Sequence, residues 1–122
     1  MSLKTIEIFG YKTVVKIPKI GKLDARIDTG ATTSSIHADN IKIKNEIVTF
    51  DHNGTELSFP LVGTKTIRNA NGSRESYIVR MKVSVNGIIK NIKVSLADRS
   101  NMTYPFILGR NALKNTIIHP AN

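Results

Sequence analysis

Ala25-Arg26-Ile27-Asp28-Thr29-Gly30-Ala31-Thr32-Thr33-Ser34-Ser35-Ile36-His37-Ala38 is the stretch on which the reading of this chain turns. It starts with strand-forming residues and breaks at Asp28-Thr29-Gly30. Small hydroxyl residues follow, and apolar character returns at Ile36. An acid at a strand end, followed by Gly, sits where backbone N–H groups can face its carboxylate. Gly30 tolerates conformations and close approaches that a side chain forbids. Thr29 places a hydroxyl beside the acid. The tripeptide alone also fits an Asx-type turn leaving a strand, so the rest of the chain must decide.

A second motif stands far downstream: Tyr104-Pro105-Phe106-Ile107-Leu108-Gly109-Arg110-Asn111-Ala112-Leu113. An apolar run entering Gly-Arg-Asn, paired with an upstream Asp-Thr-Gly-Ala, resembles the retroviral-type aspartic proteases, the retropepsins. The chain is more closely similar to a bacterial and archaeal family of retropepsin-like fold. That family is often labelled an ATP-dependent zinc protease and occurs near ATP-grasp peptide ligases. The matching pieces are Ala25–Ala38, Ser73-Arg74-Glu75, and Leu96-Ala97-Asp98-Arg99-Ser100 running into the Phe106–Leu113 motif. They cover most of the chain in the right order.

The resemblance implies an all-β, closed acid-protease barrel with one short C-terminal helix. It implies a catalytic Asp28, with Thr29, Gly30 and Ala31 completing the active-site loop and Thr29 locking two such loops together. Substrate-lining candidates are Thr32, the Asn71-Gly72 tip of a flap-like hairpin, and Met102, Thr103 and Tyr104 before the Phe106 strand. Glu75 and Arg110 are expected to give structural support. In the retroviral enzymes the position of Thr32 is an acid paired with the arginine matching Arg110. Here it is Thr, which leaves Glu75 and Asp98 as candidate partners for Arg110.

The 122 residues suit one domain spanning 1–122. The absence of Cys excludes disulfide scaffolds, Cys-ligated zinc and thiol catalysis. With no Trp, the core must be mainly Ile, Val and Leu. No apolar run is long enough to span a membrane, residues 1–20 hold no signal-peptide core, and a cytoplasmic location is expected. The net charge of +9 could draw nucleic acid or acidic peptides. Its positives are scattered along probable wet strand faces, as in Ile41-Lys42-Ile43-Lys44, with no interleaved aromatics, so nucleic acid is not the expected partner.

Along the chain, short β-forming runs alternate with turn signals. Thr5–Phe9, Thr13–Ile17, Leu23–Ile27 and Ser34–His37 read as strands, and so does the alternating run Ile41–Phe50 before Asp51-His52-Asn53-Gly54. Glu56–Leu61 follows, with Pro60 marking an edge or an end. Thr64–Arg68 and Glu75–Arg80 flank the Asn69–Gly72 tip. Lys82–Val85 and Ile88–Leu96 flank Asn86-Gly87, a type I′ hairpin signal. Phe106–Leu108 reads as a buried strand, Gly109 or Arg110 to Lys114 as the short helix, and Thr116–Ile118 as a final strand.

Aspartic peptidases need two carboxylates sharing one proton around one water. This chain has one Asp-Thr-Gly; Asp24, Asp39, Asp51 and Asp98 lack the following Thr-Gly. The second carboxylate must then be Asp28 of another copy across a two-fold axis. The expected function is a homodimeric aspartic endopeptidase acting on a peptide or protein substrate. The alternative is a silent retropepsin-like peptide-binding module associated with ATP-grasp peptide-ligase systems. No cofactor and no metal are expected: His37, His52 and His119 are far apart in sequence and form no zinc-ligand pattern. Ser34, Ser35 and His37 are too close in sequence for a triad and are expected to cap and pack.

Overall fold

The computed structural model describes residues 7–9, 11–99, 101–113 and 116–118. Among the described residues eleven strands run in chain order: β1 Glu7–Phe9, β2 Lys12–Ile17, β3 Gly21–Ile27, β4 Ser34–His37, β5 Asp39–Lys44, β6 Ile47–His52, β7 Thr55–Asn69, β8 Gly72–Val85, β9 Ile88–Ala97, β10 Phe106–Leu108 and β11 Thr116–Ile118. The start of the first expected strand and the end of the expected helix lie outside the described residues.

Nine strands form one sheet in the order β2-β3-β10-β4-β9-β8-β7-β6-β5, and β2 also pairs with β8. That last pairing, through Val15 with Val85 and Lys16 with Ser84, closes a six-strand ring. β7, β6 and β5 extend from it as an antiparallel flange. β1 and β11 form a separate parallel pair. The expected all-β retropepsin-like barrel is what the chain adopts.

Period-two alternation fills the ring. Val15 and Ile17 of β2, Leu23, Ala25 and Ile27 of β3, and Val79, Met81, Val83 and Val85 of β8 all point inward and are buried. The intervening Lys12, Lys16, Lys22, Arg80 and Lys82 are exposed. β10 lies between β3, to which it is parallel, and β4, to which it is antiparallel. With neighbours on both edges, all three of its residues are buried. Phe50 of β6 stacks on Phe59 of β7 with ring centroids 6.0 Å apart.

Four local expectations change. Glu75–Arg80 and Lys82–Val85 are one strand, β8. The run Ile41–Phe50 is two strands, because Asn45 and Glu46 turn the chain at φ 51° and 63°. Glu56–Leu61 and Thr64–Arg68 are one strand, β7, with a register shift between Leu61 and Gly63. Pro60 marks a change of partner rather than an end: Thr55–Pro60 pairs with β6, and the strand pairs with β8 from Leu61. The short helix is a single 3-10 turn, Arg110–Ala112, closed by N–H donation from Ala112 to the Gly109 carbonyl and from Leu113 to that of Arg110.

Candidate active site

Asp28 stands where β3 leaves the barrel. Its N–H donates to the Leu108 carbonyl at 3.0 Å, so β10 fixes where the chain turns away. The Gly30 N–H then donates to Asp28 Oδ1 at 2.9 Å, and the Ala31 N–H to the Asp28 carbonyl at 3.2 Å. The carboxylate is therefore aimed by its own loop. A Cβ on Gly30 would lie 3.3 Å from Asp28 Oδ1 and crowd it. Asp28 is half-buried, while Thr29 and Gly30 are exposed.

The downstream motif clasps this loop. The Arg110 N–H donates to the Ala31 carbonyl at 2.7 Å, and the Asn111 N–H to that of Thr32 at 3.3 Å. Gly109 passes so close that a Cβ there would sit 2.7 Å from the Thr33 carbonyl carbon and 2.9 Å from the Ala31 oxygen. Ser34 Oγ accepts from the Gly109 N–H at 3.0 Å and donates to Asn111 Oδ1 at 2.8 Å. Asn111 Oδ1 also accepts from the Ser34 N–H, and its Nδ2 donates to the Lys93 carbonyl. Sequence reading missed Asn111 as the side chain joining the two motifs.

Arg110 finds its partner in Thr32 itself, Nη2 donating to Oγ1 at 2.8 Å. A hydroxyl thus replaces the acid of the retroviral pattern. Glu75 instead accepts from Thr66 Oγ1 at 2.6 Å on the β7–β8 hairpin.

Beside Asp28 opens a cavity of about 360 Å³. Met102, Thr103 and Tyr104 line it, together with Ala31 of the loop. Thr32 sits one residue beyond Ala31, on the Arg110 side, and is not part of the lining. Asn71 and Gly72 lie at the exposed tip of the β7–β8 hairpin and do not line the cavity either. A larger, mainly apolar cavity of about 530 Å³ between the β2–β3 turn and β7 contains no acid, so it cannot supply carboxylate chemistry.

Two cations join Asp28 in its cavity, Arg26 and Arg99. Inward Ala25 and Ile27 leave Arg26 on the same side of β3 as Asp28, a signal the alternation did contain. Arg99 carried no pattern of its own. Its Nε donates to the Tyr104 carbonyl at 3.0 Å. Burial pushes its guanidinium below the ordinary arginine value, and the Asp28 charge pushes it back up. Arginine stays protonated at any working pH, so the site holds fixed positive charge. Asp28 is the one acid in the lining.

Histidines distant in sequence meet in space. The His37 and His52 rings lie 6.0 Å apart. His37, Asp39 and Asp98 bring one potential ligand atom each within 4.8 Å of the others, the one such cluster among the described residues. Both His37 nitrogens are already engaged: Nδ1 accepts from the Arg99 N–H at 2.8 Å, and Nε2 pairs with Asp39 at 2.9 Å.

A family described as "Retropepsin-like aspartic endopeptidase RimB" matches residues 8–119. Two similar proteins are named "Probable alpha-L-glutamate ligase". The one from Desulfotalea psychrophila is 29% identical over 92% of this chain and 27% of its own length. The one from Shewanella pealeana is 31% identical over 93% of this chain and 28% of its own length. The chain thus spans little more than a quarter of these relatives. A crystal structure of a Legionella pneumophila protein of unknown function (DUF785) superposes with a TM-score of 0.82 at 27% identity, covering 97% of this chain and 96% of that one. With the family match running over residues 8–119, the chain belongs to the RimB-like family of retropepsin-like proteins.

Proposed function

We propose that this chain is an aspartic endopeptidase that works as a homodimer, each copy giving one Asp28. The observation that carries this is a loop-aimed carboxylate facing an open cavity that contains no second acid. Two Asp28 side chains brought together across a two-fold axis cannot both ionise, so they hold one proton between them. The ionised member takes a proton from water, and the water oxygen bonds to the peptide carbonyl carbon. The protonated member gives its proton to the carbonyl oxygen. The tetrahedral intermediate then collapses: the C–N bond breaks, the leaving nitrogen takes the proton of the protonated Asp28, and one hydroxyl of the intermediate gives its proton to the ionised Asp28, which restores the shared proton. Thr29 beside the axis would tie the two loops together, and the β7–β8 tip would close over bound peptide.

The substrate class we infer is peptide carrying glutamyl side chains. Arg26 and Arg99 give the cavity a positive lining, the chain carries +9 overall, and similar segments occur in proteins named for glutamate ligation. That same occurrence within longer ligases favours a second reading, a peptide-binding module of a ligase system that does not cleave. Glutamyl peptides and charge-reversed lysyl peptides incubated with wild type and Asp28→Asn separate the two. Cleavage of the acidic set by wild type alone supports the peptidase. Binding without cleavage supports the module.

A further inference from the structure

His37 lies outside the cavity yet holds the segment that forms its wall. Its side chain is 8% exposed. Its N–H donates to the Pro105 carbonyl at 2.9 Å, the next N–H, of Ala38, donates to the Ala97 carbonyl at 2.9 Å, and its ring Nδ1 accepts from the Arg99 N–H. These bonds fasten both ends of the β9–β10 connection to β4. That connection carries Arg99, Met102, Thr103 and Tyr104 into the Asp28 cavity.

A backbone N–H can only donate, so Nδ1 keeps its lone pair and Nε2 carries the proton, given to Asp39 Oδ2. The arrangement works only for a neutral ring. A proton added to Nδ1 would face the Arg99 N–H donor to donor. The groups facing the ring are Asp39 of β5, His52 of β6, and Asp98 and Arg99 of the connection. His52 faces it edge-on and uses its Nδ1–H on the His37 carbonyl. Asp98 Oδ1 stands 3.8 Å from Nδ1, placed to accept the new proton.

We propose that His37 is a positioning residue with two states. The neutral ring grips the Arg99 backbone and keeps its guanidinium in the Asp28 cavity; the protonated ring turns Nδ1–H to Asp98 and releases Arg99. Histidine is the side chain suited to change charge between about pH 5 and 8. Acidification therefore loosens the wall of the cavity. The proposal rests on the Asp28 cavity being the reactive site, but its test needs no cleavage.

The test follows the His37 ring and the Arg99 backbone amide by NMR across that pH range. In wild type the Arg99 amide shifts with the same midpoint as the ring, and its hydrogen exchange, corrected for pH, quickens about tenfold or more as a local bond opens. His37→Asn keeps a carbonyl acceptor near the Nδ1 position and cannot gain the proton, so Arg99 stays protected throughout. His37→Ala loses that protection at every pH. Where cleavage is measurable, the wild-type pH profile carries an ionisation that His37→Asn lacks. An Arg99 amide that stays still while the ring titrates overturns the proposal, and so does a ring that does not titrate before the protein unfolds. Coupled titration without any peptide cleavage leaves this inference standing and removes the peptidase reading.

Discussion

Asp28 and Gly109 separate chemistry from architecture at the level of single side chains. Asp28→Asn keeps the turn, because Asn suits the same geometry, but leaves no group to deprotonate water. Cleavage should fall by roughly 10²–10⁴-fold, the worth of a general base, while the denaturant midpoint does not fall with it. Gly109→Ala should do the reverse. Its Cβ would collide with rigid backbone at Thr33 and Ala31, so stability should fall by about 1–3 kcal/mol or more, as overpacking does; chemical denaturation measures it. Cleavage should also survive chelators, since both His37 nitrogens are spent on Asp39 and Arg99. Loss of activity on chelation, restored by zinc, would contradict this. Asp28 was legible because Asp-Thr-Gly is a local signal, and Arg99 was not. It reaches the cavity only because β9 and β10 both pair with β4, a relation between distant segments that no local pattern encodes.

Hairpins were legible where a turn needs glycine. Asn86-Gly87 adopts φ 53° and 80°, the two positive angles a type I′ turn demands. Asn45-Glu46 makes a similar turn without glycine, so the run read as unbroken alternation. The difference predicts opposite responses. Glu46→Gly removes a left-handed penalty at φ 63° and should stabilise by about 0.5–1 kcal/mol, part of the left-handed cost of a side chain. Gly87→Ala introduces that penalty and should destabilise by about 1–2 kcal/mol. Thermal melts of the pair check both signs. β7 reads in the sequence as two strands, Glu56–Leu61 and Thr64–Arg68, with Pro60 marking an edge or an end; in the fold Pro60 falls where one strand passes from β6 to β8. At the clasp, Asn111→Ala strips the Ser34 N–H and hydroxyl of their acceptor and should cost about 1–3 kcal/mol, the penalty of unsatisfied polar groups.

As a whole, the molecule is a barrel whose smaller cavity presents one carboxylate, Asp28. Strand alternation and turn spacing made the all-β class readable. Closure through the short β2–β8 pairing came from the family resemblance, because two paired residues leave no mark in a sequence. The +9 charge has a consequence at this scale. Cleavage of glutamyl peptides should weaken as salt rises from about 0.05 to 0.5 M, because exposed charges are screened within a shrinking Debye length, while neutral peptides respond little. The assembly itself is tested most directly by mixing wild type with Asp28→Asn at fixed total concentration, allowing subunits to exchange, and measuring cleavage. If each site takes one Asp28 from each of two copies, activity should follow the square of the wild-type fraction. Activity falling in simple proportion to that fraction would mean that one chain carries a complete site, and would contradict the shared dyad.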